Sequence, residues 1–271
     1  MMVRHASSRR GTSLVGILVS MVIIMVLSVI LLTSLNKATT GAGNPVAGTV
    51  RSFQDELYLG ALYQSMAVAA TDRRTEGFIM PSAVARSGDD RLNTTANLFS
   101  LMVMQRYTPP KQLISGNEYS PVVDEDLDYD FTRYDPSADA WWDPGFTADL
   151  RSGSNVSFAH VPLCFNRRDY WAWADSRVPI IGNRGPANGE DDPSSYTYGR
   201  AGVWGGHLLH GDGHIVFVDS FVPSGLSYRN ASGEWVQDNL FAEEDGIEGL
   251  DAILAFTRSI DLKDGPELQW D

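Results

Sequence analysis

The stretch "RRGTSLVGILVSMVII", Arg9 to Ile24, decides how the rest of the chain is read. Two arginines and a glycine run into an apolar segment that meets no charge until Lys37. Thr12 to Asn36 holds no ionisable side chain, and Leu14 to Leu35 is rich in Leu, Ile, Val and Met. As a helix rising about 1.5 Å per residue, such a run crosses a hydrocarbon core about 30 Å thick. A secretory signal has a shorter apolar core, about 7–15 residues, with a small-residue cleavage site behind it. The segment therefore reads as one retained span. Ser13, Ser20, Ser28 and Thr33 are tolerable in it, because a helical hydroxyl bonds back to a carbonyl one turn earlier. Arg4, Arg9 and Arg10 precede the run and only Lys37 follows closely, which leaves the short amino end cytoplasmic and the body outside.

The chain of 271 residues has a net charge of −13. Its first eleven residues hold three arginines and no acid, so the remainder carries −16. An acidic body repels phosphate backbones, which argues against nucleic acid as a partner and leaves divalent cations or a basic protein compatible. The single cysteine, Cys164 in "VPLCFNRR", excludes an intramolecular disulfide. Its alternating apolar setting reads as a small buried hydrophobe.

Beyond the span, "TTGAGNPVAG" (Thr39 to Gly48) reads as a helix break and hinge. The pattern then returns to helix, with Phe53, Leu57, Ala61 and Tyr58, Leu62, Met66 as adjacent rows forming one wide apolar face for a sheet. Capping residues Asn93 to Thr95 and helical spacing of Leu98, Leu101 and Met102 predict a second helix from Thr95 to about Tyr107, ended by Pro109-Pro110. After Ser115 short β-rich runs alternate with turn residues: "VSFAHVPLCF", "RVPIIG", "GGHLLHGDGHIVFVDSF" and "DAILAF". Asp212-Gly213 predicts a two-residue hairpin turn, and "YRNASGEW" another turn. The expected organisation is a basic leader (1–11), a transmembrane helix (12–38), a Gly/Pro hinge (39–48) and an extracytoplasmic α+β body (49–271).

Gly11, Ser13, Leu14 and the apolar run behind a basic leader resemble the processing site of type IV pilins and type II secretion pseudopilins. The resemblance implies a prepilin peptidase that cuts after Gly11, methylation of the new amino end at Thr12, and a helix retained in the bacterial inner membrane. Two positions depart from the pattern. The first mature residue is commonly Phe or Met and here is Thr12; the fifth is commonly Glu and here is Gly16. A carboxylate in hydrocarbon needs a partner, and in the family that partner is the amino terminus of the next subunit. Gly16 removes this pair, which moves the expectation from a major filament subunit towards a minor one, or towards a relative that is only anchored. Further along, "GDGHIVFVDSF" (Gly211 to Phe221) is similar to the second half of a carboxy-terminal motif of pseudopilin-like proteins: His, nine residues, Asp-Gly. Gly202 stands where that His belongs. The implied fold is pilin-like: a long amino-terminal helix, its first half in the membrane and its second packed on a mostly antiparallel sheet. The implied partners are other pilin or pseudopilin subunits, with the body periplasmic or drawn out into an extracellular filament.

Candidate chemistry is sparse. His207, His210, Asp212 and His214 invite a zinc reading. A two-residue turn would pair His214 with Gly211 and His207 with Val218, leaving His207 and His214 about 13 Å apart on one face and His210 on the other. Zinc needs ligands at about 2.0–2.1 Å around one point, which such a hairpin does not supply. Asp124, Asp126, Asp128 and Asp130 in "DEDLDYD" offer alternating carboxylates for calcium, although the EF-hand loop pattern is absent. "NGEDD" (Asn188 to Asp192) is a weaker acidic candidate. Cys164 and His160 lie about 13 Å apart if extended, too far for a dyad. No nucleophile elbow, P-loop, dinucleotide fingerprint or His-Glu-x-x-His motif occurs, so the sequence predicts no enzyme and no resident cofactor. Tryptophans in "YWAWAD" and "DAWWD" support an alternative: an unprocessed, tethered domain that holds a glycan or protein.

Overall fold

The computed structural model describes residues 50–73, 77–171, 176–190, 204–244, 246–249 and 251–271. The leader, apolar run and hinge, with Gly11, Thr12, Ser13, Leu14 and Gly16, lie outside the described residues. So does Trp173. Among the described residues no helix is long and apolar enough to cross a membrane.

The body is α+β with antiparallel sheets. Helix α1 (Val50–Arg73) is built from good helix formers, Leu, Ala, Met and Gln, and ends on Arg73, whose charge suits the carboxyl end of the helix dipole. It buries Leu59, Leu62, Met66, Ala69 and Ala70 completely. The expected single wide face is corrected here. The Leu62–Met66 row meets the core, but Phe53 and Leu57 remain 57% and 56% exposed on the opposite side, with Val68 at 51%. The cause is Asp55, which is also fully buried and fixes the roll of the helix. Its carboxylate accepts from Ser115 Oγ at 2.7 Å, the Gly116 amide at 2.8 Å and Asn183 Nδ2 at 3.1 Å. Phe53 and Leu57 lie two positions either side of Asp55, about 200° round the helix, and so are turned outward.

Under α1 runs a four-stranded meander of β3 (Phe158–His160), β4 (Pro179–Asn183), β5 (Gly206–His210) and β6 (Ile215–Val218), each antiparallel to the next. It follows the small hairpin β1 (Ala148–Asp149) and β2 (Gly153–Ser154). Helix α1 contacts β5 and β6. Gly60 faces β6, where a Cβ would make only an ordinary contact, 3.7 Å from Ile215 Cδ1. After the single turn α2 (Pro81–Val84), helix α3 (Thr95–Met104) starts where predicted, with Thr94 Oγ1 accepting from the Asn97 amide. It stops three residues earlier than predicted, and Arg106 takes a left-handed φ of 61°. Leu98, Phe99, Leu101, Met102 and Val103 are all buried, making α3 a core helix. Strands β7 (Ser227–Asn230), β8 (Trp235–Gln237) and β9 (Gly246–Gly249) form a second sheet in the order β8-β7-β9. A hairpin of β10 (Phe256–Asp261) and β11 (Gly265–Gln269) follows. Of the predicted strand "DAILAF", only Phe256 belongs to a strand, but Ala252 to Phe256 are fully buried and Ala255 bridges to His160.

Candidate functional site

The β5–β6 hairpin turns on three residues, not two. Leu209 pairs with Ile215, the His210 amide donates to the His214 carbonyl at 3.0 Å, and the Gly213 amide donates to the His210 carbonyl at 2.9 Å. Gly213 has a φ of 90°, as expected of a loop that ends in a glycine bulge. The extra residue shifts the expected register by one. His207 pairs with Phe217 rather than Val218, and His214 stands opposite His210 rather than Gly211. His210 and His214 therefore share a face, their rings stacked at 4.1 Å, while His207 points the other way, towards α1. His214 Nδ1 lies 2.5 Å from Asp212 Oδ1.

The outer face of this hairpin lines a groove of about 560 Å³. Leu208, His210, Val216 and Val218 form one wall, and Leu226 and Trp235 lie across from them. Trp235 is 62% exposed.

A second site forms beside β9, where Asp238 follows β8 and Glu244 and Asp251 stand either side of β9. One carboxylate oxygen from each comes within 4.8 Å of the other two. Asp238 is fully buried, Glu244 and Asp251 partly. Asp238 Oδ2 accepts from the Ala252 amide at 2.7 Å, and Asp251 Oδ2 accepts from Arg167 Nη2 at 2.5 Å. Arg167 also reaches Glu243 at 3.3 Å. Asp238 Oδ1, Glu244 Oε2 and Asp251 Oδ1 are buried without a donor. Burial pushes the Asp238 carboxyl up to about 8, against the Ala252 amide and with the neighbouring acids. Burial likewise raises Asp251 to about 6, with Arg167 opposing.

Of the four aspartates singled out in the sequence, Asp128 is exposed and the other three hold local backbone. Asp124 Oδ1 accepts from the Glu125 amide, Asp126 Oδ1 from the Asp128 amide, and Asp130 Oδ1 from Thr132, where it caps a short 3-10 turn. Among the described residues, the acids gathered as a metal-ligating group are Asp238, Glu244 and Asp251. Trp171 is no surface residue: it is buried edge-on against Phe78, and its indole donates to the Ile79 carbonyl at 3.0 Å. Cys164 is buried, and burial pushes its thiol up to about 11. His160 is engaged with Thr95 Oγ1 at 2.9 Å and the Val161 carbonyl at 2.7 Å, so it is not available to a thiolate. Sequence reasoning missed the Asp238 cluster because its members stand six and seven residues apart with no motif spacing. Asp238 and Asp251 each stand as a single acid beside an apolar run, while Glu244 is hidden in the acidic run Glu243-Glu244-Asp245. Compared with models of known families, with curated proteins and with solved structures, the chain finds no match.

Proposed function

We propose that the chain is a membrane-anchored structural subunit of the pilin or pseudopilin kind, cut after Gly11 and acting by assembly. The observation that carries this reading is the outer face of α1. Phe53, Leu57 and Val68 form an exposed apolar row on the first described helix after the apolar run and hinge. A row of this kind has a use when equivalent helices pack side by side, as pilin-type helices do. The antiparallel sheet on the inner face of the same helix agrees with the pilin-like arrangement, and the basic leader with Gly11, Thr12, Ser13 and Leu14 agrees with processing. Gly16, standing where the family's carboxylate pairs with a neighbour's amino end, supports a minor rather than a major subunit. Its partners are other pilin-type subunits, and the acidic body faces the periplasm.

The test is intact mass and amino-terminal sequencing of the protein from native membranes. The expected chain begins at Thr12 and is methylated; a chain that keeps its leader overturns the proposal. A second reading, a tethered binding domain, is favoured by the groove beside Trp235. An intact leader, together with glycan binding that is lost in Trp235→Ala, would establish it.

A further inference from the structure

We propose that Asp238, Glu244 and Asp251 form a divalent-cation site suited to calcium, one that fastens both ends of β9 to the residue that follows β8. The inference is independent of how the amino terminus is processed.

Three observations converge. Each of the three residues keeps one buried oxygen to which nothing donates: Asp238 Oδ1, Glu244 Oε2 and Asp251 Oδ1. Asp238 is 0% exposed, so no bulk water serves its free oxygen, and its other oxygen is already held by Ala252. A buried carboxylate oxygen without a donor is costly, and three side by side repel as well. The charges are also unbalanced in a definite way. Arg167, shared between Asp251 and Glu243, is the one cation paired with the cluster, so the three carboxylates when ionised keep at least two negative charges for a divalent cation to neutralise. Finally, the donor set is all oxygen, with no imidazole or thiolate in the group. Hard oxygen donors select calcium, magnesium or manganese over zinc or copper.

Ligand atoms within 4.8 Å of one another suit calcium, which binds oxygens at about 2.3–2.6 Å on opposite sides of one ion. Magnesium demands about 2.0–2.1 Å and tighter octahedral angles. With three protein oxygens in reach, the remaining positions fall to water, and the affinity belongs to the class of extracellular modules, about 0.1–1 mM. Bound calcium would draw Glu244 and Asp251 onto Asp238 and so lock the run Ala252 to Phe256, which starts beside the site and is wholly buried.

The experiment uses the full chain in detergent, stripped with chelator and titrated with calcium chloride by calorimetry and thermal unfolding. We expect one calcium per chain, and a melting temperature raised by roughly 3–6 °C at calcium about tenfold above Kd. Glu244→Gln and Asp251→Asn should each weaken binding at least about tenfold. Two variants are used because Asp251 also holds Arg167. No heat and an unmoved melting temperature at millimolar calcium would overturn the site, leaving the acids held by shared protons. Undiminished binding in both variants would overturn it too, by placing the ion elsewhere, with the Asp124–Asp130 loop next in line.

Discussion

His160 sits where no solvent reaches, and both ring nitrogens are engaged. The Thr257 amide donates to Thr95 Oγ1 at 2.7 Å, which frees the Thr95 hydroxyl proton for His160 Nε2, while Nδ1–H donates to the Val161 carbonyl. The network suits the neutral tautomer with its proton on Nδ1, and the buried setting disfavours a second proton. Burial lowers the ring from 6.5 to about 4, and burial does the same to His207, against the pull of Asp55. Between those values the unfolded chain binds more protons than the folded one. Stability from each histidine is therefore complete above 6.5 and is lost as pH falls towards 4. At pH 5 each costs about 2 kcal/mol relative to pH 7. Asp238 and Asp251 titrate in the opposite sense, so the clean comparison is with His160→Asn. That variant can still donate to Val161, should lose roughly 2 kcal/mol at pH 7, and should show a shallower acid slope in urea unfolding. Gly213 makes a second prediction at this scale. A Cβ there would stand 2.6 Å from the Tyr63 ring and would force a side chain into a φ of 90°. Gly213→Ala should lower stability by about 2 kcal/mol or more, read as an earlier urea midpoint at constant slope.

At the scale of elements, α1 separates what periodicity can tell from what it cannot. The rows through Leu57 and Leu62 have the same spacing and the same chemistry, and the sequence merges them into one face. Asp55 separates them, because its three principal donors come from residues 115, 116 and 183, far off in the chain. The measurable consequence is an asymmetry. Leu62→Ala should cost about 2–5 kcal/mol as a core truncation, whereas Leu57→Ala should stay within about 0.5 kcal/mol. The hairpins teach a related lesson. In both, a three-residue loop places glycine third: Gly211-Asp212-Gly213 between His210 and His214, and Ala231-Ser232-Gly233 between Asn230 and Glu234. The strands of the first hairpin and the existence of both turns were legible from alternation and turn residues, whereas β7 and β8 were not. Loop length was not, because Asp-Gly suits a two-residue turn as well, and one residue of difference moves His214 from the face of His207 to that of His210.

Across the whole molecule, distant segments are tied by buried charge. Arg184, just after β4, pairs with Glu118 and with Asp271, all three side chains nearly solvent-free. Burial alone would raise the Glu118 carboxyl, but Arg184 more than reverses this and holds it below the usual range. Glu118→Gln leaves Asp271 as the sole counter-charge of that buried guanidinium and weakens two charge-assisted hydrogen bonds, which should cost about 1.5–3 kcal/mol in thermal or chemical unfolding. No sequence pattern announces such a tie, or the Asp238 cluster, since their members meet only after the sheets have formed. The class of the fold, by contrast, was open to reading, because helix and strand periods are local. The acidic balance of the body, too, was plain from composition, though composition could not say which acids would be buried together.

The chain has a single thiol, enclosed by the core and held protonated well above neutrality. Maleimides and disulfide reagents will pass it by in the folded protein, so the native sequence is already a silent background for cysteine scanning. Reporter thiols installed at Phe53, Leu57 or Val68 would then be the only reactive ones. Spin labels, fluorophores or crosslinkers could be carried on the outer face of α1 without first re-engineering the interior.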